Sequence, residues 1–243
     1  MEARPGLRGA LRGCRPASLP GEATPPRPPG SSRQAPCPAP APGRLSRLAG
    51  WRLAFPFIEK ILPLDFFERD TLEVARDLLG KVLVREVAGR RLTGRLVEVE
   101  AYLGPDDLAA HSARGLTPRN QVMFGPAGHV YVFLIYGMWC CLNFVTRPAG
   151  SPQAVLIRAL EPGPGVGRCS GPGLLCRSLA IDRSDNGAPL QPPGMYLLDD
   201  GFQTAEVFAT PRIGVDYSGS WKEKPWRFCL ESPYLSRRLR SSA

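Results

Sequence analysis

Two glutamates stand two residues apart in Leu96-Val97-Glu98-Val99-Glu100-Ala101-Tyr102-Leu103-Gly104, a stretch whose alternation reads as a β-strand. With a period of two, Val97, Val99, Ala101 and Leu103 share one face, and Leu96, Glu98, Glu100 and Tyr102 share the other. The first face is core. The second sets two acids beside an aromatic, which is costly unless the carboxylates are solvated, paired or used in chemistry. Residues at i and i+2 of a strand have Cα atoms ~6.5 Å apart, a separation compatible with carboxylates that flank a sugar bond. A solvated strand face would account for two acids alone. Tyr102, His111, Tyr131, Phe133, Tyr136, Asn143 and Arg158 fall on the elements around that strand, however, and add aromatic walls, one amide and one cation.

The pattern also names the elements that must position these groups. Asp70-Thr71-Leu72-Glu73 has the form of a capping box, Leu72, Ala75, Leu78 and Leu79 supply a helical stripe, and Gly80 stands where a helix ends. Lys81 to Val87 reads as a strand, Ala88-Gly89-Arg90 as a turn, and Leu92 to Leu103 as the long partner. Residues 104–128, rich in Gly, Pro, Asp, Asn and Arg, make a long surface loop of the functional kind. Val130 to Ile135 and Cys140 to Thr146 form a hairpin whose tip holds Tyr136, Met138 and Trp139, side chains that a turn facing water does not select. Ala154 to Leu160 is a strand carrying Arg158, Gly173 to Ile181 a short helix, and Pro211 to Val215 and Trp226 to Leu230 closing strands. This order predicts an α+β fold, a single mixed domain on a curved, largely antiparallel β-sheet with flanking short helices and a protruding β-hairpin.

Composition divides the chain. Residues 1–60 hold nine Arg and one Lys against Glu2, Glu22 and Glu59, so +7 of the formal net charge of +9 lies there. Proline tracts such as Ala35-Pro36-Cys37-Pro38-Ala39-Pro40 carry no periodic apolar residues, and residues 1–55 read as a disordered Pro/Arg-rich tail. Such a tail serves as a linker, an electrostatic arm for nucleic acid or an organellar transit peptide. No run approaches the eighteen or so apolar residues of a membrane span. The seven cysteines form no C-x-x-C pair, and His111 and His129 are not at zinc-ligand spacing, so neither a metal centre nor a disulfide framework is expected.

The series V-E-V-E-A-Y-L-G-P-D-D at 97–107, A-A-H-S at 109–112, T-P-R-N at 117–120, V-M-F-G-P at 122–126, V-Y-V-F-L-I-Y-G-M at 130–138, C-L-N at 141–143 and L-I-R-A-L-E-P at 156–162 resembles the alkyladenine DNA glycosylases, also called 3-methyladenine or methylpurine DNA glycosylases. The resemblance runs in order from about Leu62 to Ser236 and places a glycosylase domain at 56–240. It implies a repair enzyme that flips alkylated or deaminated purines out of duplex DNA and hydrolyses the N-glycosidic bond. Glu100 matches the general base that activates water, and Arg158 the residue that helps hold that water. Tyr102, His111 and Phe133 match the stacking pocket, Asn143 the gate against guanine, and Tyr136 the wedge that fills the gap in the duplex. Thr117, Arg119 and Met138 are implied DNA contacts. The implied partner is double-stranded DNA containing damaged purines, met by a monomer with no cofactor, no metal and no membrane, in the nucleus and also the mitochondrion. Phe133 stands where many members have Tyr, and only Gly163 to Arg168 joins Glu161-Pro162 to Cys169-Ser170, where the family pattern is longer and charged. A damage-binding protein with weak or no excision, because of that shortened 163–168 segment, is the alternative.

Overall fold

The sheet is built outward from one long strand. The computed structural model describes residues 60–204 and 206–239, so the expected tail, residues 1–55, lies outside the described residues. Among these residues the strands are β1 (Lys60–Ile61), β2 (Val82–Val87), β3 (Arg90–Tyr102), β4 (Val130–Ile135), β5 (Trp139–Thr146), β6 (Gln153–Pro162), β7 (Met195–Asp199), β8 (Phe208–Thr210) and β9 (Arg227–Cys229). Two α-helices, α1 (Thr71–Leu78) and α2 (Pro172–Ser178), flank them. All strand pairs are antiparallel, in the order β1-β7-β2-β3-β6-β5-β4, with β8 and β9 attached beside β3. One edge of β3 pairs with β6; the other pairs first with β2 and then, at Glu98 to Glu100, with β9. The acid-bearing end of β3 is therefore interior to the sheet.

Local sequence explains most elements. Asp70 caps α1, its Oδ1 accepting from the backbone N–H of Leu72 at 2.9 Å and of Glu73 at 3.4 Å, and Gly80 takes the positive φ just past the end. Ala88 and Gly89, both with positive φ, make the two-residue turn between β2 and β3. Phe67, Phe144, Leu78 and Leu160 are fully buried in the main core, which also takes in Leu175 and Leu179 from α2 and the residue after it.

Two expectations need correction, and one element was missed. The strict alternation of the acid strand fails because the β3–β6 ladder skips Val97, a bulge that puts Leu96 in the same core cluster as Val99 and Ala101 and leaves Val97 outside it. Residues 211–215 are not a strand. Pro211 has no N–H to give a ladder, and the N–H of Ile213 is used by the Glu100 carboxylate, so the strand here is the earlier β8. The edge formed by β1 and β7 was not anticipated, although Met195–Asp199 is a short apolar run bracketed by the turn dipeptides Pro193-Gly194 and Asp200-Gly201.

Phe144 is fully buried and meets Phe67 edge-on at 6.0 Å between centroids. Phe144→Ala is expected to cost about 3–5 kcal/mol of folding free energy, measured by urea denaturation.

Candidate active site

Glu98 and Glu100 are both fully buried, and arginines from the two neighbouring strands reach them. From β9, Arg227 donates Nε to Glu98 Oε1 at 2.7 Å. From β6, Arg158 donates Nε to Glu98 Oε1 at 3.0 Å and Nη1 to Glu100 Oε2 at 3.2 Å. Arg158 is itself passed over by the ladder, since Glu98 pairs with Ala159 and Val99 with Ile157. A second irregularity, in β6, thus frees and re-aims the one side chain that bridges the acids. Burial works against the charges of Glu98 and Arg158, yet for these two groups the outcome favours ionisation. Burial raises Glu98, but hydrogen bonds from Arg227 and Ser236 and the charges of Arg158 and Arg227 outweigh it and hold the carboxyl below its ordinary range. Burial likewise opposes the Arg158 cation, and the charges of Glu100 and Glu98 more than offset it.

Glu100 differs from Glu98 in what surrounds it. Its Oε1 accepts the Ile213 N–H at 2.8 Å, and its Oε2 accepts the Tyr102 hydroxyl at 2.9 Å as well as Arg158. Burial and the adjacent Glu100 charge push the Tyr102 phenol well above its usual range, so it stays protonated and donates. Tyr102, Arg158 and Ile213 line a cavity of about 480 Å³. Glu100 sits directly behind that lining.

The cavity also brings together His111, Phe133, Asn143, Arg119 and Tyr136. His111 meets Phe133 edge-to-face at 4.4 Å, and Phe133 lies 5.4 Å from Tyr131, so these rings make one continuous wall. The Tyr131 hydroxyl and His111 Nδ1 are 2.9 Å apart, which makes Tyr131 both a core residue and the support of the histidine. Burial, then the charges of Arg119 and Arg114, lower His111 from 6.5 to about 4, so it is neutral at physiological pH. Asn143 donates Nδ2 to the carbonyls of Tyr131 at 3.0 Å and Cys141 at 3.3 Å, which fixes the orientation of its amide in the wall.

At the hairpin tip Tyr136 has φ +52° and is 89% exposed, with Met138 70% exposed beside it. A tyrosine held in the left-handed region with its ring in water is strained and unburied at once. The tip is braced from below. Trp139 packs on α2 so closely that a Cβ at Gly173 would stand 2.7 Å from its ring, and Arg177 lies 5.7 Å from the ring centroid. Arg119, expected as a DNA contact, donates to the Leu134 carbonyl at 3.0 Å and stands 5.4 Å from the Phe133 centroid, at the cavity itself. Thr117 is not at the cavity. Its N–H and hydroxyl both donate to Asn120 Oδ1, at 2.7 and 2.9 Å, and tie the loop together.

Sequence reasoning missed Asp107, Arg212, Ile213, Tyr217, Arg227 and Ser236. Arg212 and Asp107 form a fully buried bidentate pair, with Nη2 to Oδ1 at 2.8 Å, and Arg212 also covers the Tyr102 ring at 4.7 Å. An arginine inside an apolar run must find an acid when buried, so Arg212 and Arg227 were detectable as partners in search of carboxylates. Ile213 acts through its backbone, and no sequence signal announces that.

A family model described as methylpurine-DNA glycosylase (MPG) matches residues 65–233. The chain belongs to the methylpurine-DNA glycosylase family. It is 49% identical over 193 residues to a protein of Methanocella arvoryzae provisionally named a 3-methyladenine DNA glycosylase, covering 73% of this chain and 96% of that one. A protein of the same name from an Anaeromyxobacter species is 52% identical over 176 residues, covering 71% and 91%, and one from Legionella pneumophila is 48% identical over 179 residues, covering 72% and 98%. The protein is thus a DNA glycosylase, an enzyme of DNA repair. These relatives come from organisms without a nucleus and lend the expected nuclear localisation no support. Among the described residues no helix is long and apolar enough to cross a membrane.

His111 gives a pH dependence of known sign. Its folded pKa, about 4, lies below the unfolded 6.5, so the unfolded chain binds more protons in that window and acid favours unfolding. Between pH 6.5 and 5 stability should fall by up to about 1.4 kcal/mol per pH unit. Urea titrations of the wild type and His111→Asn across that range should show a shallower fall in the variant.

Proposed function

We propose that the protein is a monofunctional glycosylase that hydrolyses the N-glycosidic bond of alkylated or deaminated purines in duplex DNA. Its substrates on this reading are 3-methyladenine, 7-methylguanine, hypoxanthine and ethenoadenine, taken by a monomer with no cofactor. The observation that carries the reading is a buried, arginine-paired Glu100 immediately behind the floor of an aromatic cavity.

Chemistry on a stacked base requires its extrusion, at a cost of a few kcal/mol that is smallest for damaged pairs. Tyr136, projecting from the hairpin tip, would offset part of that cost by entering the vacated stack, with Met138 and Thr117 on the flanking DNA. The extruded base would stack between Tyr102 and the wall of His111 and Phe133. A cationic N-alkylpurine gains ~1–2 kcal/mol there from ring quadrupoles. Neutral His111 adds no repulsion of its own. Asn143, its amide locked, crowds the exocyclic amine of an intact guanine.

Water replacing the Tyr102 hydroxyl at Glu100 Oε2 would stand between Glu100, Arg158 and the sugar. Glu100 takes its proton while the water oxygen bonds to C1′ and the C1′–N bond breaks, the electron pair leaving with the base. The same carboxylate stabilises the positive charge that develops on the sugar. Phe133 stacks as tyrosine would but offers no hydroxyl.

Duplexes bearing each lesion, assayed for alkali-labile abasic sites, test the reading. Glu100→Gln should lose excision by about two to four orders of magnitude, the range for general-base removal, while duplex binding persists. Lesion binding without abasic product from the wild type would instead favour the damage-binding reading tied to the short 163–168 connection. Gly173→Ala, which pushes on Trp139 beneath the wedge, should weaken lesion-duplex affinity several-fold in a fluorescence titration while the melting temperature barely changes.

A further inference from the structure

The charge cluster has a member beyond the family match, which ends at residue 233. Ser236 donates its hydroxyl to Glu98 Oε1 and its backbone N–H to Glu98 Oε2, each at 2.6 Å. The same hydroxyl accepts Arg158 Nη2 at 3.3 Å, and the next residue, Arg237, offers its carbonyl to Arg227 Nη2 at 2.7 Å. Arg158 therefore sends its three nitrogens to three partners: Nε to Glu98, Nη1 to Glu100 and Nη2 to Ser236. The guanidinium is planar, so contacts at two nitrogens dictate where the third points.

We propose that the C-terminal segment around Ser236 is a working part of the catalytic centre, and that Glu98 and Ser236 are positioning residues that allow Arg158 only one contact with Glu100. The inference rests on the glycosylase reading. An Arg158 released from Glu98 and Ser236 would turn to the bidentate pairing that guanidinium and carboxylate prefer. Both Glu100 oxygens would then be committed to a cation, and the carboxylate would be a poorer acceptor for the proton of water.

Single-turnover excision of hypoxanthine from a duplex, with saturating full-length enzyme, separates the rate constant from the active fraction. Ser236→Ala should lower the rate constant about tenfold, as for one hydrogen bond to a charged group, with amplitude and duplex affinity unchanged. Ser236→Thr, which keeps a hydroxyl, should restore it. Glu98→Gln should slow the reaction further and move the acid limb of its pH profile to lower pH; if that variant does not fold, the Ser236 pair decides. A purely structural role would reduce the amplitude and leave the rate constant and pH profile alone, and that result overturns the inference. A wild type that releases no base overturns the glycosylase reading as well, whereas an active wild type matched by Ser236→Ala overturns only the positioning role.

Discussion

Two carboxylates and two guanidiniums share the buried interior of the sheet, and the rest of the site is arranged around keeping them paired. Glu98 and Glu100 on β3 face Arg158 on β6 and Arg227 on β9, a cluster of zero formal net charge with almost no solvent. Buried ion pairs add little to stability over an apolar core, but loss of one partner costs about 3–5 kcal/mol because a charge is left uncompensated. The cluster therefore constrains more than it stabilises. It requires strands on both edges of the β3 end, which explains why β9 takes over from β2 at Glu98 to Glu100. It also requires a segment from the C-terminus to satisfy the remaining carboxylate oxygen.

Around this charged floor the walls follow a different logic. His111, Tyr131 and Phe133 are joined through ring contacts and one hydrogen bond, so they form a rigid apolar surface whose only basic group is kept neutral by burial and two arginines. The Arg212–Asp107 pair ties the loop leading to His111 against the Tyr102 ring, while the adjacent Ile213 N–H holds Glu100. One short segment thus sets floor and wall together. Where the wall ends, the hairpin departs from comfortable geometry, with Tyr136 in left-handed backbone and in water. Such an arrangement persists only when its base is over-determined, and Trp139 against Gly173 supplies that base.

The legible part of this structure was what short-range pattern controls. The capped helix from Asp70, the hairpin with its exposed aromatic tip, the acid strand and the Arg158 strand can each be read from windows of a few residues. The illegible part came from irregularity and distance. A period-two reading placed Leu96 beside Glu98, and a single bulge at Val97 moved it to the core. Pro211 to Val215 looked like a strand because its apolar residues alternate, yet its backbone N–H answers a side chain on β3 instead of a neighbouring strand. Ser236 could not be found at all, since a serine near a chain end has no local mark of the carboxylate it meets 138 positions away in sequence.

The difference between the two glutamates is the last consequence of the same constraint. They are identical in type, equally buried and two residues apart, so neither composition nor spacing separates them. Partners do. Glu98 receives Arg158, Arg227 and both donors of Ser236, groups that close over it on every side and hold it ionised. Glu100 receives Tyr102, Ile213 and a single nitrogen of Arg158, and all three of those residues face the cavity. A molecule entering the cavity meets the groups that hold Glu100 and none that hold Glu98 except Arg158. The sheet register, through a bulge on each of two strands, sets Glu98 inside its own ring of donors and leaves Glu100 one layer behind the cavity lining.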